Sequence, residues 1–327
     1  MTLFSRRPKK NDPSAPGASE SALPLEPDTE QTAPAVPEVP ITVTAYGTPA
    51  VVTAAPSVAS APAASTRPRQ AVPGIDDNRL VLDALAALGP EPTPQQTFEV
   101  ARQLLQGRMY LRVRGEAREL LATGQDLPMA TVTIGDTPYL LAFSGGAALQ
   151  AAVRADGDTA TSAIAVGVPA LLHQVVDGPL AGLAIDLPSK PAGIVLPRAL
   201  IEKIVAHLDE GLAVKSVLTG VRSPQSVAAL VAALQSAPLW IAGRRKDDST
   251  IGIVQARLSD GARVLEVFSH PLELHVLDRG DRPVRITAQQ LAAALNGEPE
   301  LDGVIVNPRG PWLRLSRDDL APLLAHA

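Results

Sequence analysis

The sequence predicts an α+β protein in which two tandem copies of a small mixed-sheet domain with flanking helices follow a disordered Pro/Ala-rich N-terminal arm. Three observations predict this fold class. Prolines crowd the first 75 residues, helix-like and strand-like hydrophobic patterns alternate after them, and the second half of the chain repeats the first. The predicted boundaries are an arm at 1–75, a first copy at 76–210, a linker at 211–223 and a second copy at 224–327.

The arm is predicted from its composition. Residues 1–75 hold 13 of the 31 prolines, with Ala, Ser, Thr and Glu between them and few aromatic residues. Such a segment cannot bury enough apolar surface to offset the entropy lost on ordering it, so we expect disorder. A tether or docking arm for a partner is the functional interpretation, but composition favours the plainer alternative of a solvated tail.

Regular structure is predicted from about residue 76. A leucine-rich helical stripe ends at Gly89-Pro90, and Thr93-Pro94 opens a second helix with proline at its first position. The pair Gly135-Asp136 predicts the turn of a hairpin. Further strands are predicted at 109–113, 130–134, 139–143, 164–166, 182–186 and 193–196, and further helices at 144–153, 168–176 and 197–208.

The second half repeats this order of elements. Pro224 opens a helix, and Asp260-Gly261 gives the most specific turn signal in the chain. Strands are predicted at 239–242, 251–258, 263–268, 284–286, 304–306 and 312–315, and helices at 271–277, 288–295 and 318–324.

Matching residues indicate an internal duplication. Three anchors recur in the same order: Met109-Tyr110-Leu111 with Leu239-Trp240-Ile241, Phe143-Ser144 with Phe268-Ser269, and 180–186 with 301–307. Three anchors with the same element types between them indicate one copied folding unit. Because duplicated domains commonly inherit the self-complementary contact of a homodimer, we expect the two copies to pack on each other around a pseudo-two-fold axis.

Composition excludes several classes of protein. The chain has no cysteine, which removes disulfides, thiolate nucleophiles and Cys-ligated metal sites. A net charge of −5 and a pI near 5.6 give no overall basic field, so no nucleic-acid partner is expected. Residues 11–17 are polar where a signal peptide needs an apolar stretch, and no run is long enough to span a bilayer. We expect a cytoplasmic protein with no membrane partner.

The sequence lacks the common motifs of catalysis and cofactor binding. It has no P-loop, no GxSxG, no HExxH and no EF-hand loop. His173 and Asp177 supply only two of the ligands that a metal site needs, and the five histidines fit surface or capping positions. We expect no catalytic residue, no cofactor and no metal.

Four residues in loops at strand ends are the candidate ligand-binding residues: Ser144, Asp186, Asn307 and Arg309. Binding residues often gather in such loops in domains built from strands and helices. The structural alternative is that Ser144 caps a helix and that Asn307, with the prolines after it, builds a turn between two strands. The structural alternative is favoured, and Trp312 is expected to cover the edge of the core.

Both halves resemble the SseB N-terminal domain family. The residues that carry the resemblance are Arg108 to Val113, Phe143-Ser144, Leu196-Pro197-Arg198 and Gly303 to Pro308. Coverage extends over about 78–208 and 222–325, and Asp186-Leu187-Pro188 departs from the Asn-Pro of the motif by a substitution and an inserted residue. The resemblance implies a cytoplasmic domain, of a type common in actinobacterial proteins, for which no catalytic residues are accepted.

The favoured function is a non-catalytic binding or regulatory module that acts through contacts with an unknown protein partner. The alternative is a small-molecule or nucleotide-binding domain, or an unrecognised enzyme, that uses the strand-end loops around Ser144, Asp186 and Asn307. A thermal-shift screen with nucleotides and amino acids separates the two, because a ligand that binds the native state raises its stability.

Overall fold

The structure, a computed structural model, describes residues 50–51, 72, 74–187, 193–245 and 251–325. The prediction of a disordered arm at 1–75 lies outside the described residues for most of its length. Within the arm, the described residues Ala50–Val51 form a two-residue strand, β1. We define the first half as the described residues within 74–210 and the second half as those within 211–325.

The first half contains six helices and six strands among its described residues. The helices are α1 (Arg79–Ala86), α2 (Pro94–Leu104), α3 (Ala117–Ala122), α4 (Gly146–Asp156), α5 (Val168–Asp177) and α6 (Arg198–Val205). The strands are β2 (Arg108–Arg114), β3 (Thr131–Ile134), β4 (Thr137–Phe143), β5 (Thr161–Gly167), β6 (Gly182–Ile185) and β7 (Ile194–Pro197). Every strand predicted here is present, whereas α3 was not predicted.

The second half follows the same order. Its helices are α7 (Ala213–Thr219), α8 (Gln225–Ser236), α9 (Pro271–His275), α10 (Ala288–Gly297) and α11 (Ala321–Leu324). Its strands are β8 (Leu239–Arg245), β9 (Ile251–Ile253), β10 (Gln255–Arg257), β11 (Arg263–Phe268), β12 (Arg282–Ile286), β13 (Gly303–Val306) and β14 (Leu313–Ser316). The segment predicted as a linker contains α7, and two of its side chains, Val214 and Leu218, are buried in the second core.

Two helices begin with the same local chemistry. At α2, the Thr93 side chain accepts a hydrogen bond from the backbone of Gln96, whose own side chain accepts one from the backbone of Thr93. Thr287 and Gln290 form the same reciprocal pair at α10. These bonds satisfy N–H groups that the first turn of a helix leaves without intrahelical partners.

The two halves build mixed sheets with the same strand order, which confirms the predicted α+β class. The order is β5-β2-β4-β6-β7 in the first half and β12-β8-β11-β13-β14 in the second. The central pairs β4–β6 and β11–β13 are parallel, and the pairs on either side of them are antiparallel. β3 adds to β4, and β10 adds to β11 in the same way.

The register also matches between the sheets. Leu140 faces Leu183 across the first parallel pair, and Leu265 faces Val304 across the second. An arginine follows each terminal hairpin and donates to the last carbonyls of the preceding helix: Arg198 Nη1 to Val175 O at 3.0 Å and Arg317 Nη1 to Leu295 O at 2.8 Å. Shared order, register and capping are what a duplicated folding unit requires.

Each sheet packs between two apolar layers. In the first half, Leu183 and Ile185 of β6 face the main core with α1, α2, α5 and α6, while Ala184 faces a smaller cluster with α4. The second half repeats this alternation around β13. Because successive strand residues point to opposite faces, a strand buried on both faces reads as a continuous apolar run, as β6 and β13 do.

The halves contact each other through different elements. Leu272 of α9 is buried in the main core of the first half, and Gln95 Nε2 of α2 donates to Val276 O at 2.6 Å. The equivalent helix of the first half, α4, packs in a cluster whose members all belong to that half. The described contact therefore joins α2 to α9, whereas the predicted pseudo-two-fold axis requires the same elements to meet.

Two further findings concern the described ranges. None of their helices is long and apolar enough to cross a membrane. Across the same ranges, no three His, Asp or Glu side chains are grouped closely enough to hold a metal ion.

Candidate functional site

The structure joins two of the predicted site residues in a buried pair at the ends of β4 and β6. Ser144 N–H donates to Asp186 Oδ1 at 2.8 Å, and Ser144 Oγ donates to Asp186 Oδ2. Both residues are nearly inaccessible to solvent. One hydroxyl and one carboxylate thus tie the end of β4 to the loop after β6, and we call this pair the first clasp.

The second half has the same arrangement at the ends of β11 and β13. Ser269 N–H donates to Asn307 Oδ1, and Asn307 Nδ2 donates to Ser269 Oγ, both at 2.9 Å. The two residues are again buried. This second clasp contains the predicted site residue Asn307 together with Ser269, which takes the place of Ser144.

Backbone conformation explains the residue types in the clasps. Asp186 and Asn307 have φ of 52° and 51°, in the left-handed region that Asp and Asn tolerate better than most residues. Each follows a strand that begins with a glycine of positive φ, Gly182 or Gly303. A Cβ on Gly303 would lie 2.0 Å from the Leu315 carbonyl oxygen, so no other residue fits there without displacing the neighbouring strand.

The two clasps differ in charge. Burial raises the pKa of Asp186 to about 6, against the two Ser144 hydrogen bonds that lower it, and the nearby Asp77 carboxylate raises it further. Asn307 carries no charge in the same position. The polar atoms of both clasps are used by each other, which makes them ties between strands rather than groups that face a ligand.

The remaining predicted residue, Arg309, lies on the surface beside the second clasp. Its side chain is exposed. Burial alone would raise the pKa of Glu99 in the first half, but hydrogen bonds and charge from Arg102 lower that pKa, and the charge of Arg309 contributes to the lowering. The carbonyl of the neighbouring Gly310 accepts a hydrogen bond from Arg102 Nη1. The loop after the second clasp thus reaches the first half. Trp312, expected at the edge of the core, is half-buried and packs beside a small apolar cluster.

A buried ion cluster lies where the halves meet, and we define it as Arg102, Lys215, Glu273 and Glu99. Arg102 Nη1 lies 3.0 Å from Glu273 Oε2, and the Lys215 ammonium pairs with Glu273 Oε1. The side chains of Arg102, Lys215 and Glu273 are between 0% and 4% exposed. Desolvation lowers the pKa of Lys215, although the attraction of Glu273 opposes this. The cluster fixes α9 against α2.

His270 forms a second polar contact between the halves. Its Nε2 lies 3.1 Å from Ile204 O of α6, and its Nδ1 accepts from Leu272 N–H at 3.1 Å. This pattern requires a neutral ring with the proton on Nε2. Burial lowers the pKa of His270 to about 4, since a proton on Nδ1 would face an N–H donor and lie out of water.

The first half also has an open groove between α4 and β5. Its volume is about 310 Å³, and its walls include Leu149, Val153 and Arg112. The Arg112 guanidinium donates to Asp158 O at 2.7 Å and to Thr161 Oγ1 at 3.0 Å. The groove also has an exposed polar rim that includes Gln150, Arg154 and Thr159. Its volume is at the lower end of the range for small-molecule pockets.

The second clasp lies in a segment of the chain that is similar to a known protein family. Residues 214–321 match the family model of the SseB protein N-terminal domain. The match supports the SseB family that the sequence motifs indicated. The matched segment begins in α7, ends at the first residue of α11 and includes the whole second clasp. No curated protein and no solved structure matches the chain.

The site residues are only partly foreseeable from the sequence. Ser144 and Asp186 stand out as strand-end residues, but the hydrogen bonds between them do not, and Ser269 is visible only as part of a repeated anchor. The ion cluster was missed entirely, because Arg102 and Glu273 are 171 positions apart and neither lies in a motif. A charged residue within an apolar stripe, as Arg102 is within α2, was the only signal available.

Proposed function

We propose that this protein is a non-catalytic binding or regulatory module that acts through protein contacts. The observation that carries the proposal is the repetition of the clasp: in both halves, the polar residues at the strand ends are buried and bonded to each other. These side chains are nearly inaccessible to solvent, so they are not exposed to a substrate. The polar groups of the two clasps thus hold strands together, so we assign recognition to exposed surfaces and strand edges.

The first half is, in this proposal, a second copy of the SseB domain, in the tandem arrangement of the actinobacterial type. Matching strand order and matching register support this assignment. Boundaries near 76–210 and 224–327 place α7 outside the second copy, and the family match from 214 favours an earlier start. Superposition of experimental coordinates is the test, and failure of β2–β7 to align strand for strand with β8–β14 would reject a second copy.

The proposed location is the cytoplasm, and the proposed partner is another protein. Tagged full-length protein, crosslinked in its native cells, should retain a defined protein that rebinds the purified chain in a fixed ratio. The same chain should show no saturable thermal shift with a panel of nucleotides and amino acids. A panel compound that raises the melting temperature saturably, together with no protein that rebinds, would reject the proposal.

A second candidate function is small-molecule binding in the groove between α4 and β5. Its volume of about 310 Å³ and the exposed Arg154 at its rim favour a small anionic ligand. The same panel tests it: a hit that Arg154→Ala weakens at least about tenfold would favour this candidate. Arg118→Ala, on the exposed surface of α3, is the matched control and should not change the shift.

A further inference from the structure

The outer edge of β3 is open among the described residues. β3 pairs with β4 through four residue pairs, and no other described strand pairs with residues 131–134. Pro138 lies opposite Thr133, and the tight turn pairs Ile134 with Thr137. In an antiparallel hairpin of this register, hydrogen-bonded and non-hydrogen-bonded pairs alternate. The backbone N–H and C=O of Thr131 and Thr133 therefore point away from β4.

The equivalent edge in the second half is occupied. β10 corresponds to β3, because Gln255 faces Leu265 as Thr131 faces Leu140. β1 pairs with β10 in parallel, with Ala50 opposite Ala256 and with Val51 opposite Arg257. In the same register, a strand added to β3 would have its two equivalent residues opposite Val132 and Thr133. Among the described residues, one edge of the repeated fold thus carries an added strand and its counterpart carries none.

Exposed apolar surface lies on the open edge. Ile134 is 44% exposed, and Val132 on the same face is only partly buried. Their counterparts in the second half, Leu258 and Ala256, are 7% and 2% exposed. Strand edges that expose apolar side chains and unpaired backbone groups pair readily with another chain.

We infer that the outer edge of β3 is a docking site for an extended, uncharged segment of a partner protein, which adds to the sheet as a strand parallel to β3. This inference rests on the proposed function and names its contact surface. The occupant of the equivalent edge defines the chemistry: a small residue opposite Val132, followed by a β-branched residue opposite Thr133. Main-chain bonds to Thr131 and Thr133 supply affinity, and the apolar side chains of Val132 and Ile134 supply selectivity.

The partner strand is assigned to another protein rather than to a second copy of this chain. Each chain has one segment of the β1 type and two equivalent edges, β3 and β10, among its described residues. If two copies exchanged their β1 segments so that each segment filled the β3 edge of the other copy, the two β10 edges would be left open instead. A segment from a different protein fills the remaining edge without emptying β10.

A fluorescein-labelled peptide with the sequence of residues 47–55 is the probe, and the full chain is the receptor. Anisotropy should show saturable binding below about 1 mM. Thr133→Pro removes the outward N–H and should weaken binding at least about tenfold, whereas the matched Thr133→Ala keeps that N–H and should bind within about twofold of the wild type. A peptide with proline in place of Val51 should not bind.

Amide exchange measured by NMR on the wild-type chain decides the location, even if Thr133→Pro disturbs the hairpin. Peptide should slow exchange at Thr131 and Thr133 and leave the inward amides of Val132 and Ile134 unchanged. No saturable binding, protection only outside residues 131–134, or equal affinity for Thr133→Pro would overturn the inference. Partner capture by the full chain is a separate measurement, so failure of the peptide leaves the proposed function standing.

Discussion

Replacing Asp186 with asparagine should stabilise the protein at neutral pH. The first clasp buries a carboxylate where the second clasp holds the neutral Asn307 in the same bonding position. Asn307 shows that an amide fits this geometry: its oxygen accepts from the serine N–H and its nitrogen donates to the serine hydroxyl. Asp186→Asn should reproduce that pair with Ser144 and remove the cost of a buried charge.

The expected gain follows from the pKa of Asp186. Its pKa is about 6 in the folded chain, against 3.8 for a free side chain, so the folded state binds the proton more tightly than the unfolded state. The stability contributed by protonation is complete below pH 3.8 and is lost as the pH rises through 6. That difference corresponds to about 3 kcal/mol at pH 7. Because the new amide bonds differ from the old ones, we expect a gain of about 1 to 3 kcal/mol.

Urea unfolding at pH 4, 5.5 and 7 is the measurement. The free energy of unfolding of Asp186→Asn should exceed that of the wild type at pH 7, and the two should converge near pH 4. The mirror variant, Asn307→Asp, is the matched control and should lose stability at pH 7 by a similar amount. A variant Asp186→Asn that is less stable than the wild type at pH 7 would refute the reasoning, since the carboxylate would then be stabilising.

Four further predictions concern other positions. Glu273→Gln leaves the buried Lys215 ammonium without a carboxylate and leaves Arg102 with Glu99 alone, so urea unfolding should show a loss of about 3 to 5 kcal/mol. His270 has a pKa lowered to about 4, so it contributes stability above pH 6.5 that is lost, by up to about 3 kcal/mol, as the pH falls toward 4. An NMR titration of the ring checks the pKa, and His270→Ala should remove this pH dependence of the free energy of unfolding. Gly303→Ala places a methyl group against the Leu315 carbonyl at a positive φ and should lower the melting temperature sharply, by more than about 5 °C. Trp312→Ala should cost about 1 to 3 kcal/mol in urea unfolding, since the side chain is only half-buried.

The sequence was sufficient for elements whose signal is local. The strands at β6 and β13 are continuous apolar runs bounded by turn residues, and the Phe-Ser anchors mark the starts of α4 and α9. The clasp residues Asp186 and Asn307 were found because they end those runs. In the second half, the Asp260-Gly261 turn marks the loop between β10 and β11 as predicted. The single strand predicted at 251–258 is instead divided into β9, which pairs with β8, and β10, which pairs with β11.

Other features have no local signal. α7 is short and follows Gly211, so residues 211–223 read as a linker, and only its packing against the second core reveals Val214 and Leu218 as buried. The ion cluster forms where the two halves pack together, and no residue spacing in the sequence predicts that contact. The described contact between the halves joins α2, which is eleven residues long, to α9, which is five residues long.

The packing of α9 against the first half couples the stability of the two halves. Leu272 fills part of the interior of the first half, and Glu273 neutralises charges contributed by both α2 and α7. Separating the halves between α6 and α7 would leave a cavity in the first core, where Leu272 packs, and would take Glu273 away from the buried Arg102. Calorimetry of the intact protein should accordingly record a single cooperative transition, even though its sheets and cores are built twice.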